Sequence, residues 1–361
     1  MYLPTFSIIV PVKNEIQVIR RCLDSLLNLD YPKDKVEIIV VDGNSNDGSR
    51  EVALDYSEKH PGLIKFIPQE EARGKPSALN LALKHSKNDI ILVLDADSVP
   101  RRDLLMKAAR YFQDPSTFAV QGKTKSINPD ENLISKLASL EGEWFQTTFK
   151  GREKLGLFVP FIGSCLFIKR DLLIKLGGWS EKHLSEDMEL AARLLENGYG
   201  IIFANDLVSM QEYPSTLKSY LTQRYRWLRG TFEVALSYGK LLKKPNPKRL
   251  DAEVMFLTPL MMVLFLLGFA GWLPLLCQIT LALPTPLTTL MTTLGIFSTL
   301  TILMIMEKPL KPKDIFLAPL INVYWVTQSI IALKTVLDAL LKRPQKWIKT
   351  EKSGKITIKA F

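Results

Sequence analysis

Short runs rich in apolar, β-branched residues alternate with helical periodicities along the first hundred positions of the chain. The runs fall at 6–12, 36–41, 64–67 and 90–94, and continuous stretches such as Ile38-Ile39-Val40-Val41 suit strands covered on both faces. Amphipathic stretches at 15–28, 49–60, 75–86 and 101–113 follow each of them. Strand and helix in regular alternation predict an α/β fold with a parallel, doubly wound sheet. Beyond Asp97 the pattern changes: 118–121 and 158–168 read as strands on either side of an amphipathic helix near 132–150, so 118–210 is expected to complete the sheet.

Charge then divides the chain. Basic and acidic residues intermingle through position 253, but from Val254 to Met306 there is no charged residue. That run accommodates two helices of roughly 20 residues, the length a hydrocarbon core requires. Spans are therefore expected at about 255–283 and 286–306, with Leu-Pro-Thr-Pro at 283–286 turning between them. A third apolar segment, 315–341, is interrupted by Asn322, Gln328, Lys334 and Asp338 and reads either as a third crossing or as a helix lying in the interface. Lys240, Lys243, Lys244, Lys248 and Arg249 precede the first span, and the tail 342–361 is again basic. Both therefore belong on the cytoplasmic side, which favours an even number of crossings. The chain opens without a basic region followed by a long apolar one, so an integral membrane protein with a cytoplasmic N-terminal domain is expected. The division is 1–213 as the globular domain, 214–250 as an interfacial helix and basic linker, 251–341 as the membrane part, and 342–361 as the tail.

A net charge of +10 suits anionic headgroups and phosphorylated substrates. No basic helix or aromatic-basic sheet motif accompanies it, which argues against nucleic acid. Cys22, Cys165 and Cys277 have no metal-like spacing, and His60, His85 and His183 are isolated, so neither a disulfide framework nor a histidine-based centre is expected.

In a doubly wound sheet, ligands sit beyond the carboxyl ends of the strands. Here those ends carry Pro-Val-Lys-Asn-Glu (11–15), Asp42-Gly43-Asn44-Ser45 and Asp95-Ala96-Asp97. Carboxylates gathered at one edge call for a cation, and hard divalent ions prefer oxygen ligands. Asp42 alone reads equally well as a turn residue. Gly74-Lys75 at a helix start offers amide donors and a cation to phosphate, without the spacing of a P-loop. In Ser185-Glu186-Asp187, Ser185 can cap a helix whose dipole accommodates the acids, while Asp187 could also serve as a general base that no histidine is placed to be.

The stretch Gln223-Arg224-Tyr225-Arg226-Trp227 lies on a further helix. On a helical wheel Leu217, Leu221, Leu228, Phe232 and Ala235 form one stripe, and Gln223, Arg226, Trp227 and Gly230 fall opposite. This arrangement predicts a lipid-facing stripe and a site-facing one, with Arg224, Tyr225 and Arg229 anchoring at the headgroups.

Asp-Gly at 42–43, Asp-Ala-Asp at 95–97, Ser-Glu-Asp at 185–187 and Gln-Arg-Tyr-Arg-Trp at 223–227, in this order, resemble the membrane-bound family 2 inverting glycosyltransferases. That group includes cellulose, chitin and hyaluronan synthases and glucosylceramide synthase. The resemblance implies a GT-A fold with a mixed sheet and C-terminal transmembrane helices, a nucleotide-sugar donor, usually a UDP-sugar, and Mg²⁺ or Mn²⁺. By motif, Asp42 and Asp95 would hold the nucleoside part, Lys75 and Arg226 the donor phosphates, Asp97 the metal, and Asp187 would be the base. Gln223, Trp227, Glu186 and, less firmly, Trp179 in Gly-Gly-Trp would lie on the diphosphate and acceptor side. Ser-Glu-Asp stands where Thr-Glu-Asp is commoner, and few helices are left to line a polymer channel. Transfer to a lipid-linked or glycolipid acceptor at the cytoplasmic face is therefore expected. The alternatives are a processive polysaccharide synthase, possible as a homo-oligomer, and a remote one of a nucleotide-sensing membrane protein or transporter.

Overall fold

A computed structural model describes residues 3–71, 73–239, 245–276, 317–344 and 349–357. The first four strands form where the apolar runs lie: β1 (Phe6–Val12), β2 (Val36–Asp42), β3 (Ile64–Pro68) and β4 (Ile90–Val93). They are joined by α1 (Ile19–Leu27), α2 (Ser49–Lys59) and α3 (Lys75–His85). A two-residue β5 (Val99–Pro100), α4 (Leu104–Tyr111), β6 (Ala119–Ser126), the long α5 (Leu133–Lys154), β7 (Leu166–Lys169), α6 (Arg170–Lys175), α7 (Glu186–Glu196) and β8 (Ile202–Gln211) complete the domain. The sheet order is β3-β2-β1-β4-β7-β6-β8-β5. Strands β1 to β4 are mutually parallel where they pair, whereas β7 runs antiparallel to both β4 and β6. The sheet is thus mixed.

Alternate residues fix which face each strand shows. Ile8, Val10, Ile38, Val40 and Leu92 join one core with Cys22, Leu23, Val52, Leu104 and Leu105. Ile9, Ile39, Val41, Ile91 and Val93 join the other with Ala78, Leu79, Met188 and Leu190. A slip of one position would exchange the two sets, so the register Val12↔Asp42 and Ile9↔Val93 is locked, and with it the height at which Asp42 and Asp95 emerge.

The expected strand at 158–168 is shorter. Pro160 removes a ladder donor, and Gly163 (φ +78°) and Cys165 (φ 54°) are left-handed, so 158–165 is a loop and only Leu166–Lys169 pairs. Strand β8, with no clean alternation, was not foreseen.

Four helices follow: α8 (Leu217–Tyr238), α9 (Pro247–Phe256), α10 (Thr258–Leu276) and α11 (Leu317–Leu340). Expected span positions from 277 to 316, including Cys277, lie outside the described residues. The first expected span begins too early. Ala252, Met255 and Phe256 are buried in the domain's own core, and α9 meets the following helix at 61° just ahead of Pro259, which cannot donate to a continuing helical ladder. Among the described residues, Pro319–Leu340 is the single unbent helix long and apolar enough to cross a bilayer, and part of it is buried against protein.

The stripe expected to face lipid on α8 is instead covered by protein except at Leu217, which is exposed. Leu228 packs with Ile331, Ala332 and Met262, and Phe232 with Val336, Ala339 and Leu260, residues of α10 and α11. The other side of α8 lies on the start of α7, and Gly230 makes this possible. A Cβ there would stand 2.1 Å from Ser185 Oγ and 2.8 Å from Ser185 N. Gly230→Ala gains about 1 kcal/mol of helix propensity, but the collision with backbone costs about 1–3 kcal/mol and forces α8 away from Ser185. A lower melting temperature is expected, checked by thermal unfolding.

Candidate active site

Lys75 is the first residue of α3, entered through Gly74 at φ +95°. Its ammonium lies 2.6 Å from Asp95 Oδ1, 2.8 Å from the Gly163 carbonyl and 3.7 Å from Glu186 Oε1. One cation thereby draws together the end of β4, the loop before β7 and the start of α7. Gly163 leaves the space between them, since a Cβ there would meet Asp187 Oδ2 at 3.2 Å and Lys75 Nζ at 3.5 Å. The amide of Asp95 also donates to Ser164 Oγ at 3.2 Å.

Electrostatics follow from this crowding. Burial, reinforced by the charge of Glu186, lifts Asp187 from the usual carboxylate range toward neutrality, and Lys75 opposes the shift. Arg226 joins the same group: burial holds its guanidinium below the usual value, while Glu186, Asp95 and Asp187 pull the other way. Five of the expected residues, Lys75, Asp95, Glu186, Asp187 and Arg226, therefore share one electrostatic neighbourhood. Asp42 is fully buried and its carboxylate accepts from Ser45 N at 3.2 Å, the turn arrangement.

Asp97 is 3% exposed and accepts from Glu212 N at 2.9 Å. Its second partner is unforeseen. Lys352, from the tail, donates to Asp97 Oδ2 at 2.5 Å and to the Glu212 carbonyl at 2.8 Å. The amides of Ser353 and Gly354 bind the Glu212 carboxylate, and Lys349 reaches the Asn14 carbonyl and lies 3.2 Å from Glu15 Oε2. Burial lifts Glu15 to about 7, with Lys349 acting against the rise. Sequence reading took the tail's lysines as a topology signal. Their spacing around Ser-Gly, a turn that offers adjacent amides, was the one hint of a second role.

No cluster of three or more acidic, histidine or cysteine side chains suited to a metal occurs among the described residues. The donor chemistry at Asp97 still fits a hard cation, because a buried carboxylate already faces a positive charge, the Lys352 ammonium.

Other expected residues are placed differently. Arg224 and Arg229 were expected at headgroups, yet each is only 4% exposed. Arg224 is paired with Glu141, and Arg229 with Glu233 and the Thr335 and Arg343 carbonyls, because burial against α5 and α11 demands partners. Tyr225 also turns to protein, donating to Asp338 Oδ2 at 2.8 Å. Gln223 accepts from Arg224 at 2.5 Å, and Trp227 is 44% exposed with the Arg224 guanidinium 4.4 Å above its ring. Trp179 is not brought into the cluster. It is 3% exposed in the core, with its backbone held by Asn80 at 2.8 Å on both sides. Cys22 and Cys165 are buried and unpaired as thiols, while His183 bonds to Ser180 and Ser237, away from the acids.

Residues 7–177 match the family model "Glycosyl transferase family 2" and form a domain of that family, which marks the chain as a glycosyltransferase. The chain is 36% identical over 264 residues to "Probable glycosyltransferase YdaM" of Bacillus subtilis (strain 168), covering 70% of this chain and 61% of that protein. It is 27% identical over 368 residues to the beta-monoglucosyldiacylglycerol synthase of Nostoc sp. (strain PCC 7120 / SAG 25.82 / UTEX 2576), covering 98% and 77%. The fold is similar to that of the mannosyltransferase PcManGT from Pyrobaculum calidifontis in complex with GDP-Man and Mn2+. The TM-score is 0.65 at 24% identity, over 95% of this chain and 89% of the other.

Lys352→Met removes the cation beside Asp97 but leaves Glu212 its bonds from Ser353 and Gly354. Faster hydrogen exchange over 349–357 is expected, with the amides of β4 unchanged, as read by mass spectrometry.

Proposed function

We propose that the protein is an inverting glycosyltransferase that moves a hexose from a nucleotide-diphosphate sugar, a UDP-sugar, to the hydroxyl of a lipid or glycolipid acceptor at the cytoplasmic membrane face. The observation that carries this reading is the convergence of Lys75 on Asp95, Gly163 and Glu186, with Asp187 and Arg226 beside them. It combines a base with cations for a leaving diphosphate.

In the reaction the acceptor hydroxyl attacks the anomeric carbon from the face opposite the diphosphate. The carbon–oxygen bond to phosphate breaks, Asp187 takes the hydroxyl proton, and the nucleoside diphosphate leaves. Asp187 suits the task because its raised affinity for protons makes it a stronger base than an ordinary carboxylate, while remaining ionisable near neutral pH. Lys75 and Arg226 offset the charge that grows on the diphosphate. Asp95 orients the donor through its bond to Lys75, and Asp42 supports the nucleoside end from the β2 terminus. A Mg²⁺ or Mn²⁺ ion would be held by Asp97 together with diphosphate oxygens and would stabilise the leaving group. Gln223, Trp227 and Glu186 line the acceptor side, where the half-exposed indole offers a flat apolar face.

Two observations favour a lipid acceptor. The Nostoc relative aligned over nearly the whole chain is named for glucosyl transfer to diacylglycerol. On α11, Val323, Ile330, Leu333, Leu337 and Leu340 form an exposed apolar stripe, while its polar Gln328, Thr335 and Asp338 are buried against protein. Such a helix suits a membrane interface, with exposed Lys334 and Arg343 at its basic margin.

The test is UDP release by the detergent-solubilised protein with Mn²⁺, over a panel of UDP-sugars, with and without dioleoylglycerol in mixed micelles. One sugar is expected to give lipid-dependent release that Asp187→Asn abolishes, by about a thousandfold or more, while UDP affinity is kept. No turnover with any sugar would sink the donor assignment. A base works only when ionised, so kcat/KM is expected to fall as pH drops through the raised pKa of Asp187. The acid limb then lies nearer neutrality than an ordinary carboxylate would place it. Lys75 lowers that pKa, so in Lys75→Met the limb moves to still higher pH, readable in pH–rate profiles.

A further inference from the structure

Glu141, in the middle of α5, lies outside every motif in the sequence, yet its carboxylate is the meeting point of three helices. Oε2 accepts from Arg224 through both Nε, at 3.0 Å, and Nη2, and from Tyr324 OH at 2.5 Å. Oε1 accepts from Gln328 Nε2 at 3.0 Å. The donors come from α8 and α11, so one side chain ties both to the catalytic domain.

Arg224 passes this constraint on. Its Nη1 donates to Gln223 Oε1 at 2.5 Å, and its guanidinium lies 4.4 Å over the Trp227 ring and 5.0 Å over the Tyr220 ring. A planar guanidinium held edge-on by a carboxylate leaves its faces for aromatic rings, so fixing the Arg224 plane fixes the indole beside it. Gln223 and Trp227 are thus both oriented by a residue that is itself oriented by Glu141. The buried arginine has no comparable second anion among the contacts described. Removing the carboxylate charge leaves it uncompensated, and it must turn away and release both neighbours.

We infer that Glu141 is a positioning residue for the acceptor side of the site, setting Gln223 and Trp227 through Arg224. The inference rests on the reading above that these two residues face the acceptor. Glu141 touches no reacting atom, so its loss should weaken acceptor binding and leave the nucleotide untouched.

The experiment compares wild type, Glu141→Gln, Glu141→Asp and Trp227→Ala with UDP-glucose, or whichever UDP-sugar is turned over, and dioleoylglycerol micelles. UDP affinity is measured by calorimetry. In parallel, ¹⁹F NMR of 5-fluorotryptophan-labelled protein follows the Trp227 signal, assigned by its absence in Trp227→Phe. Glu141→Gln is expected to raise the acceptor KM about tenfold, change UDP affinity less than twofold, and shift or broaden the Trp227 resonance. Glu141→Asp is expected to restore most of each. A lower melting temperature with acceptor KM and Trp227 resonance as in wild type overturns the inference, since Glu141 would then only hold the fold. A raised KM in Trp227→Ala without one in Glu141→Gln overturns the clamp alone. An unchanged KM in Trp227→Ala overturns the acceptor-side reading instead, and the kinetic part of this inference with it. Should Glu141→Gln fail to fold, Tyr324→Phe and Gln328→Leu each remove one donor while keeping the charge. Effects of two- to threefold in the same direction support the clamp, and none in either variant overturns it.

Discussion

The catalytic half of the molecule depends on one ammonium group in a place where acids converge. Lys75 neutralises Asp95, caps the Gly163 carbonyl and lies beside Glu186, so the ends of β4, the 158–165 loop and α7 meet at its tip. Without a central cation, carboxylates from separate elements would repel one another in a partly buried space. With it, burial, reinforced by the charge of Glu186, is what makes Asp187 basic. The glycines at 163 and 230 belong to the same constraint, because each removes a side chain that would stand between the acids and the elements closing over them.

The first half of the sheet was legible because its signal is local. Apolar runs of strand length, followed by helical periodicity, put Asp42, Asp95 and Lys75 at the carboxyl edge without any knowledge of contacts. The second half was harder: the break at 158–165 depends on Pro160 and two left-handed residues, and β8 has no clean alternation. On α8 the wheel grouped Leu228 and Phe232 on one face but gave that face the wrong surroundings, and Leu217 of the same stripe is exposed. A wheel reports that Leu228 and Phe232 are buried, not whether lipid or protein buries them, and here α10 and α11 do so. Arg224 was misplaced for the same reason, since its anionic partner Glu141 lies far along the chain, and Arg229 because the Thr335 and Arg343 carbonyls it meets do too. Trp179 was drawn toward the site by its neighbours in sequence, whereas the hydrophobic core took it.

The helices after residue 216 are therefore joined to the domain by polar as well as apolar contacts. Tyr324 and Gln328 donating to Glu141, and Tyr225 donating to Asp338, are two polar joints between α11 and the rest. Hydrogen bonds to carboxylates have angular requirements that greasy surfaces lack. They hold α11 in one rotation about its axis, which keeps its apolar stripe outward.

Asp97 stands directly after β4, but the ammonium beside it comes from position 352. All of the intervening chain has to be made before these two charges meet. The site is in this sense finished last, during biosynthesis as well as in space. A chain that has not yet reached position 352 carries the sheet and its acids but not the charge balance around Asp97.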